Sequence, residues 1–359
     1  MSAVAFRLVL LLPGGAGAVP AGRLERLLAA RGAGFEALPA GPPGEGPAEL
    51  QERLLEALAR HGVEAGEALL LAARYREEVL PAAGIGLLAL LPRSCPPAPG
   101  ETAFLGTGPA PRWSGPSRLL AMLDLLERLP PREPRRPQPR PGRPRAAGPA
   151  EARAAASVVL HDGAGRLFFV RRAEIPGSIA PGSWAFPGGM VDETDLPRGE
   201  ADPGPLLLAA YRGSGARPGQ LAALAAAARR ELREETGLEL GASRLLPLGR
   251  LLAPPYVPRR VETAYFLARY PEGERLRLSP EELAEARWLR PREALAGYRE
   301  GRLFMTLPTL AALAPLVTLA AAGADRLEAE TVRRPGGLIR PGSEVEWALR
   351  LLPPQESRT

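Results

Sequence analysis

The sequence predicts an α/β protein in two parts, and three observations carry that reading. Strand-like and helix-like segments alternate through the first 129 residues. A proline- and arginine-rich stretch, 130–149, then interrupts all regular periodicity. Beyond it, strands resume and lead through a glycine-rich loop into a helix bearing Glu231, Glu234 and Glu235. A chain of 359 residues is long enough for two domains with cores of their own. Its apolar content of 45% and charged content of 24% are those of a soluble globular protein.

In the first part, Ala5–Leu12 is an apolar run that ends at Pro13-Gly14-Gly15, the pattern of a buried strand. Residues 22–31 and 48–61 repeat their apolar positions at helical spacing. Two short buried strands, Ala68–Leu71 and Ile85–Leu91, flank a helix over 74–83, and residues 117–129 form a last amphipathic helix. This alternation predicts a small α/β layer structure, Rossmann-like, with a mainly parallel sheet. The stretch 130–149 holds eight prolines and six arginines, cannot form helix or central strand, and reads as an extended linker.

In the second part, residues 155–160 and 167–170 are strands joined by the turn His161–Gly165, whose histidine is expected in solvent. The loop Phe186-Pro187-Gly188-Gly189 precedes a helix over 221–236 that Gly237 caps. Strands are predicted at 245–252, 261–270 and 286–289, and helices at 291–298 and 308–321. The domains are therefore 1–129, a linker 130–149, 150–322 with an insertion at 196–219, and an extension 323–359, where the segment 331–352 suggests a covering hairpin or meander.

Several function classes are excluded by composition. The net charge of +6 lies almost wholly in residues 130–149, where six arginines face one glutamate. No aromatic or helical motif accompanies that charge, so nucleic-acid binding is not expected. No apolar run approaches the roughly 18 residues of a membrane span. Arg7 with Leu8–Leu12 is too short for a signal sequence, and the cytoplasm is the default compartment. A single cysteine, Cys95, excludes an internal disulfide or a cysteine metal cluster. No histidine stands beside a serine or cysteine nucleophile. The expected partner is a small molecule; oligomeric state is not readable.

The chemistry concentrates in Arg230-Glu231-Leu232-Arg233-Glu234-Glu235-Thr236-Gly237-Leu238. Glu231, Glu234 and Glu235 stand at i, i+3 and i+4, so one helix face gathers three like charges. A structural helix gains nothing from that arrangement. A hard divalent cation does, because it takes oxygen ligands and bridges carboxylates to phosphates. Arg230 can hold a neighbouring glutamate in a bidentate pair and fix its rotamer.

This string resembles the second half of the signature of the Nudix hydrolases. The first half is displaced: Gly189 is followed after five residues by Asp195, where that family prefers glutamate. Then 34 residues separate Asp195 from Arg230, where the family has seven. Lengthening a surface loop costs little, so the insertion is tolerable. The split box is similar to that of the branch containing peroxisomal coenzyme A diphosphatases and their bacterial relatives. Val170–Ala173, Ala180–Phe186, Pro258–Phe266, Arg287–Leu295 and Leu307–Thr309 extend the likeness.

The resemblance implies a mixed sheet sandwiched between helices and a magnesium site, with manganese as the alternative. Glu231, Glu234 and Glu235 would bind the metal, with the carbonyl of Gly188, while Arg230 orients the cluster. For the additional base, Glu262 is the first choice and Glu282 the second. Arg171, Arg172, Arg259 and Arg260 are candidates to meet substrate phosphates, and Phe186 to line the substrate site. The implied reaction is attack of metal-activated water on the phosphoanhydride of a nucleoside diphosphate linked to another moiety. Coenzyme A or acyl-CoA leads the substrates; ADP-ribose or another nucleotide diphosphate follows. The alternative of another class is a non-catalytic nucleotide sensor.

The first part resembles, in Gly62–Glu77 and Ala82–Ile85, the later half of haloacid-dehalogenase-like phosphatases. Ala72, Ala73 and Glu77 occupy the places where that family holds its magnesium-binding acids. No aspartate follows the first strand as nucleophile. The resemblance implies a phosphatase-like domain without its chemistry.

Overall fold

The computed structural model describes residues 6–17, 19–101, 103–106, 108, 110–116, 119, 120, 123, 151–175, 180–255 and 260–339. The predicted linker 130–149, most of the predicted helix 117–129, and residues 340–359 lie outside them. The chain divides into two compact units, Met1–Ala152 with Leu252–Arg260, and Arg153–Leu251 with Val261–Thr359.

The first unit is a five-stranded sheet in the order β2-β1-β3-β4-β5. Its strands are β1 (Leu8–Leu11), β2 (Gly34–Ala37), β3 (Ala68–Leu71), β4 (Leu88–Pro92) and β5 (Arg112–Trp113). All neighbours run parallel, with Leu8 opposite both Gly34 and Ala68, and Leu69 opposite Leu88. Parallel strands buried on both faces read as unbroken aliphatic runs, and β1, β3 and β4 are buried at every position. The sheet edge β2, Gly-Phe-Glu-Ala, is only half-buried, so no aliphatic run marks it in the sequence.

Helices α1 (Ala21–Ala29) and α2 (Pro47–Arg60) make the crossovers. Pro47 starts α2 where no helical N–H partner is needed, and Leu50, Leu54 and Leu58 line its buried face. The helix expected over 74–83 begins as a wide π-type turn, Tyr75–Val79, and continues as α3 (Leu80–Gly84). That turn follows from Glu78, whose buried carboxylate accepts the backbone N–H groups of Ala73 and Arg74 and the Nε of Arg74.

The second unit is built on a seven-stranded mixed sheet. Its main path is β10-β11-β6-β7-β12, with β8 added on β7 and β9 on β6. The strands are β6 (Arg153–His161), β7 (Leu167–Arg172), β8 (Trp184–Ala185), β9 (Gly188–Met190), β10 (Leu246–Leu252), β11 (Val261–Arg269) and β12 (Leu283–Leu289). β11 runs parallel to β6, whereas β7 pairs antiparallel with β6, β8 and β12. The helices are α4 (Pro205–Ala210), α5 (Pro218–Thr236), α6 (Pro291–Arg299), α7 (Leu307–Ala321) and α8 (Ala324–Arg333).

One core joins the inward faces of this sheet to α6 and α7 through Val159, Phe169, Tyr265, Leu295, Leu310 and Leu313. One expectation is corrected here. The insertion, read as mostly loop, contains α4, and its last residues belong to α5, which starts at Pro218. Most of the segment expected as a covering hairpin or meander, 331–352, lies outside the described residues. Residues 323–339 of the predicted extension pack on the domain: Leu327, Leu338 and Ile339 are core residues, and Ile339 bridges Gly249 of β10. Their apolar side chains find shelter only against a sheet edge formed earlier in the chain. No helix among the described residues is long and apolar enough to cross a membrane.

Candidate active site

The site forms where the β8–β9 loop meets the last turns of α5. Phe186 is buried against Phe169, with ring centroids 4.8 Å apart, which anchors the loop in the core. The Pro187 carbonyl accepts the N–H of Val158 at 2.8 Å and the hydroxyl of Ser157 at 2.9 Å. Two glycines then allow a close approach. Gly188 has φ 149°, and a Cβ there would fall 2.3 Å from the Ala156 carbonyl oxygen. A Cβ on Gly189 would fall 2.4 Å from a carboxylate oxygen of Glu231.

Helix α5 brings its carboxylates to this loop because its other face is apolar: Leu221, Leu224, Ala228 and Leu232 are buried. Gly237 ends it as expected, donating to the Arg233 carbonyl at 2.8 Å. The chain returns to this helix end much later. Arg277 N–H donates to the Thr236 carbonyl at 2.7 Å, and Ser279 N–H to the Glu235 carbonyl at 3.0 Å. These bonds satisfy carbonyls that a helix end leaves open. Three residues on, Glu282 is fixed to β7 by Ala173 N–H, which donates to its carbonyl at 2.8 Å.

Arg230 is the hub. Its Nε and Nη2 form a bidentate pair with Asp195 at 3.0 and 2.8 Å. Its Nη1 donates to Glu231 at 2.9 Å and to Glu234 at 3.0 Å, and its Nη2 to the Met190 carbonyl at 2.9 Å. These neighbours, Asp195 foremost, hold the guanidinium even more firmly protonated than usual. Asp195 is buried, and its Oδ2 also accepts the N–H of Asp192 at 2.8 Å, closing a 3₁₀ turn over Glu193–Asp195. The residue that departs from the family's glutamate is thus a clasp for Arg230, a role its isolated position in the sequence did not signal.

Burial raises the Glu231 carboxyl above the usual range, against the pull of Arg230. It raises Glu235 further, to about 8; Arg172 and the Gly188 N–H act against it, while Glu231 and Glu282 add to it. Glu235 accepts the Gly188 N–H at 3.0 Å. Glu234 is the exposed member of the three, its side chain 47% accessible.

Among the described residues, no three His, Cys, Asp or Glu side chains converge to hold a metal ion. Glu231 and Glu234 turn toward Arg230, and Glu235 toward Gly188, because each carboxylate takes the nearest donor. The donor set itself fits a hard cation: carboxylate oxygens on one helix face, set against a glycine pair that leaves no side chain in the way.

Other predicted residues are placed elsewhere. Glu262 is a buried partner of Arg250 from β10, so the first-choice base is engaged away from the α5 cluster; Glu282 is the acid whose charge acts on Glu231 and Glu235. Phe186, expected at the substrate, is in the core. Arg260 is 2% exposed and points to the carbonyls of Ala253 and Gly106, which withdraws it from phosphate binding. Arg259 lies outside the described residues. Arg171 makes charge contacts with Glu285 at 3.5 Å and Glu174 at 3.7 Å. Arg172 lies on the same strand as Arg171 and exerts its charge on Glu235. His161, expected in solvent, is fully buried because α8 covers the end of β6 and brings Glu328 to 2.8 Å.

Residues 151–307 match the NUDIX domain family. The fold is α/β, a Rossmann-like unit with a parallel sheet followed by a mixed-sheet unit that carries the matched residues. Among solved structures, the chain is similar to a NUDIX hydrolase from Alicyclobacillus acidocaldarius (26% identity, 50% of this chain and 96% of that one, TM-score 0.39). It is also similar to a MutT NUDIX hydrolase from Burkholderia pseudomallei (19% identity, 46% and 97%, TM-score 0.31). A third is the dihydroneopterin triphosphate pyrophosphohydrolase of E. coli (18% identity, 46% and 97%, TM-score 0.29). None of the curated proteins compared matches the chain.

Proposed function

We propose that the second unit hydrolyses the phosphoanhydride of a nucleoside diphosphate linked to another moiety, with magnesium as the cofactor and manganese as its substitute. The observation that carries this is Arg230, clasped by Asp195 and holding Glu231 and Glu234 beside the Gly188-Gly189 loop. Glu231, Glu234 and Glu235, with the Gly188 carbonyl, would hold the cation. When bound, such an ion polarises a phosphoryl oxygen and lowers the pKa of a bound water.

The chain's own residues do the rest. Arg230 keeps two carboxylates in register, and the glycine pair admits a substrate phosphate close to the backbone. Glu282, tethered by its loop to the end of α5, is the acid positioned to take a proton from the attacking water; it replaces Glu262 in that role. Coenzyme A or acyl-CoA is the leading substrate, on the likeness of the split box to that branch. ADP-ribose or a dinucleotide is the runner-up. For the first unit we propose a phosphatase-like fold without catalysis, since Glu78 already occupies the N–H groups at the end of β3.

Purified protein incubated with magnesium and a panel of these diphosphates should cleave at least one. A folded Glu234→Gln variant should lose nearly all of that turnover, because an exposed carboxylate at this position has little structural work to lose. Cleavage of none would leave the second reading, a nucleotide sensor. The inward turn of the three carboxylates toward protein donors favours that reading, since it leaves them satisfied without turnover.

A further inference from the structure

The mixed sheet has two ends, and the chain treats them differently. At β10 the outer edge is covered: Gly249 bridges Ile339, and the N–H of Arg250 donates to the Ile339 carbonyl at 3.2 Å. At the other end stands β12, whose one strand partner among the described residues is β7. Ala173 N–H donates to the Glu282 carbonyl, on the β12 side of β7, whereas Arg172 N–H donates to Ser183, on the β8 side. This direction alternates along a strand, so Arg171 and Phe169 bond to their register partners Glu285 and Arg287. Ala286 and Trp288 therefore turn their N–H and C=O groups outward, and no backbone group of a described residue bonds to them there. An open row of this kind is a template for another strand.

The side chains of β12 select which strand that is. Glu285-Ala286-Arg287 places opposite charges at equal distance on either side of Ala286. In a second copy laid antiparallel, with Ala286 facing Ala286, the outward groups of the two strands meet. Each Glu285 then stands opposite the other copy's Arg287, in pairs not bridged by backbone bonds, where side chains come closest. Both side chains lie on one face and are open to a partner, 36% and 48% accessible. In the single chain Arg287 reaches Glu285 only from two residues along the same strand, its Nε donating at 2.6 Å. The charges also fix the register. A shift of two residues sets Arg287 against Arg287 or Glu285 against Glu285, and a shift of one misaligns the backbone donors. The register shift between Leu283 and Glu285 ends the regular row on β12, so the contact is short.

We infer that the outer edge of β12 is a self-recognition surface, on which a second copy of this chain pairs antiparallel about a two-fold axis at Ala286. The same patch serves both copies, so the assembly closes at two and does not grow into a filament. The pairing joins the two mixed sheets into one and leaves the Arg230 cluster of each copy unaltered.

The test is sedimentation velocity of the full chain over a range of concentrations. The wild type should show a monomer–dimer equilibrium with a dissociation constant of about 1–100 μM, as a short contact gives. Ala286→Pro removes the N–H at the axis; that group faces outward, so the strand keeps its bonds to β7 and the monomer folds. It should weaken the dimer by about tenfold or more. Glu285→Arg and Arg287→Glu each set like charges opposite one another and should do the same. Mixed in equal amounts, these two variants regain opposite charges at both contacts and should pair with each other within about threefold of wild-type affinity. Circular dichroism reports which variants fold; if Ala286→Pro does not, the mixed pair decides, and if a charge variant does not, Ala286→Pro decides. A wild type that stays monomeric up to about 1 mM, a dimer that all three substitutions leave unchanged, or a mixture that stays monomeric would each overturn the assignment.

Discussion

The bond between Asp195 and Arg230 joins two side chains that are 4% and 21% accessible, so its loss is felt in both stability and geometry. Replacing Asp195 by Asn removes the charge and one acceptor. A charge-assisted bond of this kind contributes about 1.5–3 kcal/mol, and urea denaturation should show a loss in that range. With the clasp gone, Arg230 can swing and Glu231 and Glu234 lose their register. On the best substrate of the panel, kcat should then fall by about 10- to 100-fold with a smaller change in KM. A folded Asp195→Asn protein with wild-type kcat would show that the clasp does not set the site. At this scale the helix spoke for itself in the sequence, since i, i+3 and i+4 are enough to put three carboxylates together. The pairing of Glu262 with Arg250 did not, because the partner sits on another strand and nothing in the spacing announces it. Phe186 was misread for the same reason: whether an aromatic ring beside Pro-Gly-Gly faces a ligand or the core depends on Phe169 across the sheet.

Among elements, the inserted segment carries the clearest expectation. Tyr211 ends α4, is 5% exposed, and has the Arg250 guanidinium 5.4 Å from its ring centre. Burial pushes its hydroxyl above the usual tyrosine range, so it is neutral at working pH. Tyr211→Ala should destabilise the second unit by about 3 kcal/mol, as large aromatic truncations do. Hydrogen exchange should report loss of protection first in α4. A change under about 0.5 kcal/mol, the range of ordinary surface substitutions, would mean that α4 is not held by this ring. The long elements were legible because periodicity survives over many residues: α2, α5 and β11 lie within a few residues of their predicted bounds, and the four-residue β3 was legible as an unbroken buried aliphatic run. Short elements without such a run were not. β2, β5, β8 and β9 have two to four residues each and owe their pairing to neighbours distant in the chain.

For the molecule as a whole, acid is the informative variable. His161 is buried at the end of β6, where Glu328 favours its charged form while Arg269 and the loss of solvent disfavour it. Burial is the largest influence, and it holds the folded imidazole below the ordinary histidine range. The folded state therefore binds fewer protons here than the unfolded one. The stability this group contributes is full above the unfolded pKa and is lost as pH falls from there through the lower folded pKa. Urea unfolding at pH 7.5 and 5.5 should show wild type losing more stability than His161→Asn over that interval. A steeper loss in the variant would reverse the sign and mean that Glu328 wins. Neither the burial of His161 nor its partners could be read locally, since α8 begins more than 160 residues after the strand it covers.

The Asp195–Arg230 clasp also closes a ring of chain without a covalent link. The segment between them leaves from the site itself but re-enters α5 at Pro218, roughly 18 Å along the helix from Arg230 at 1.5 Å per residue. Closing a longer ring costs only about 0.6 kcal/mol for each doubling of its length. Gly199, Gly213 and Gly215 stand in open space along the way. The segment is thus a natural splice point: a fluorescent or affinity module grafted near Gly213 would ride on the domain while the clasp keeps the two halves of the signature in step.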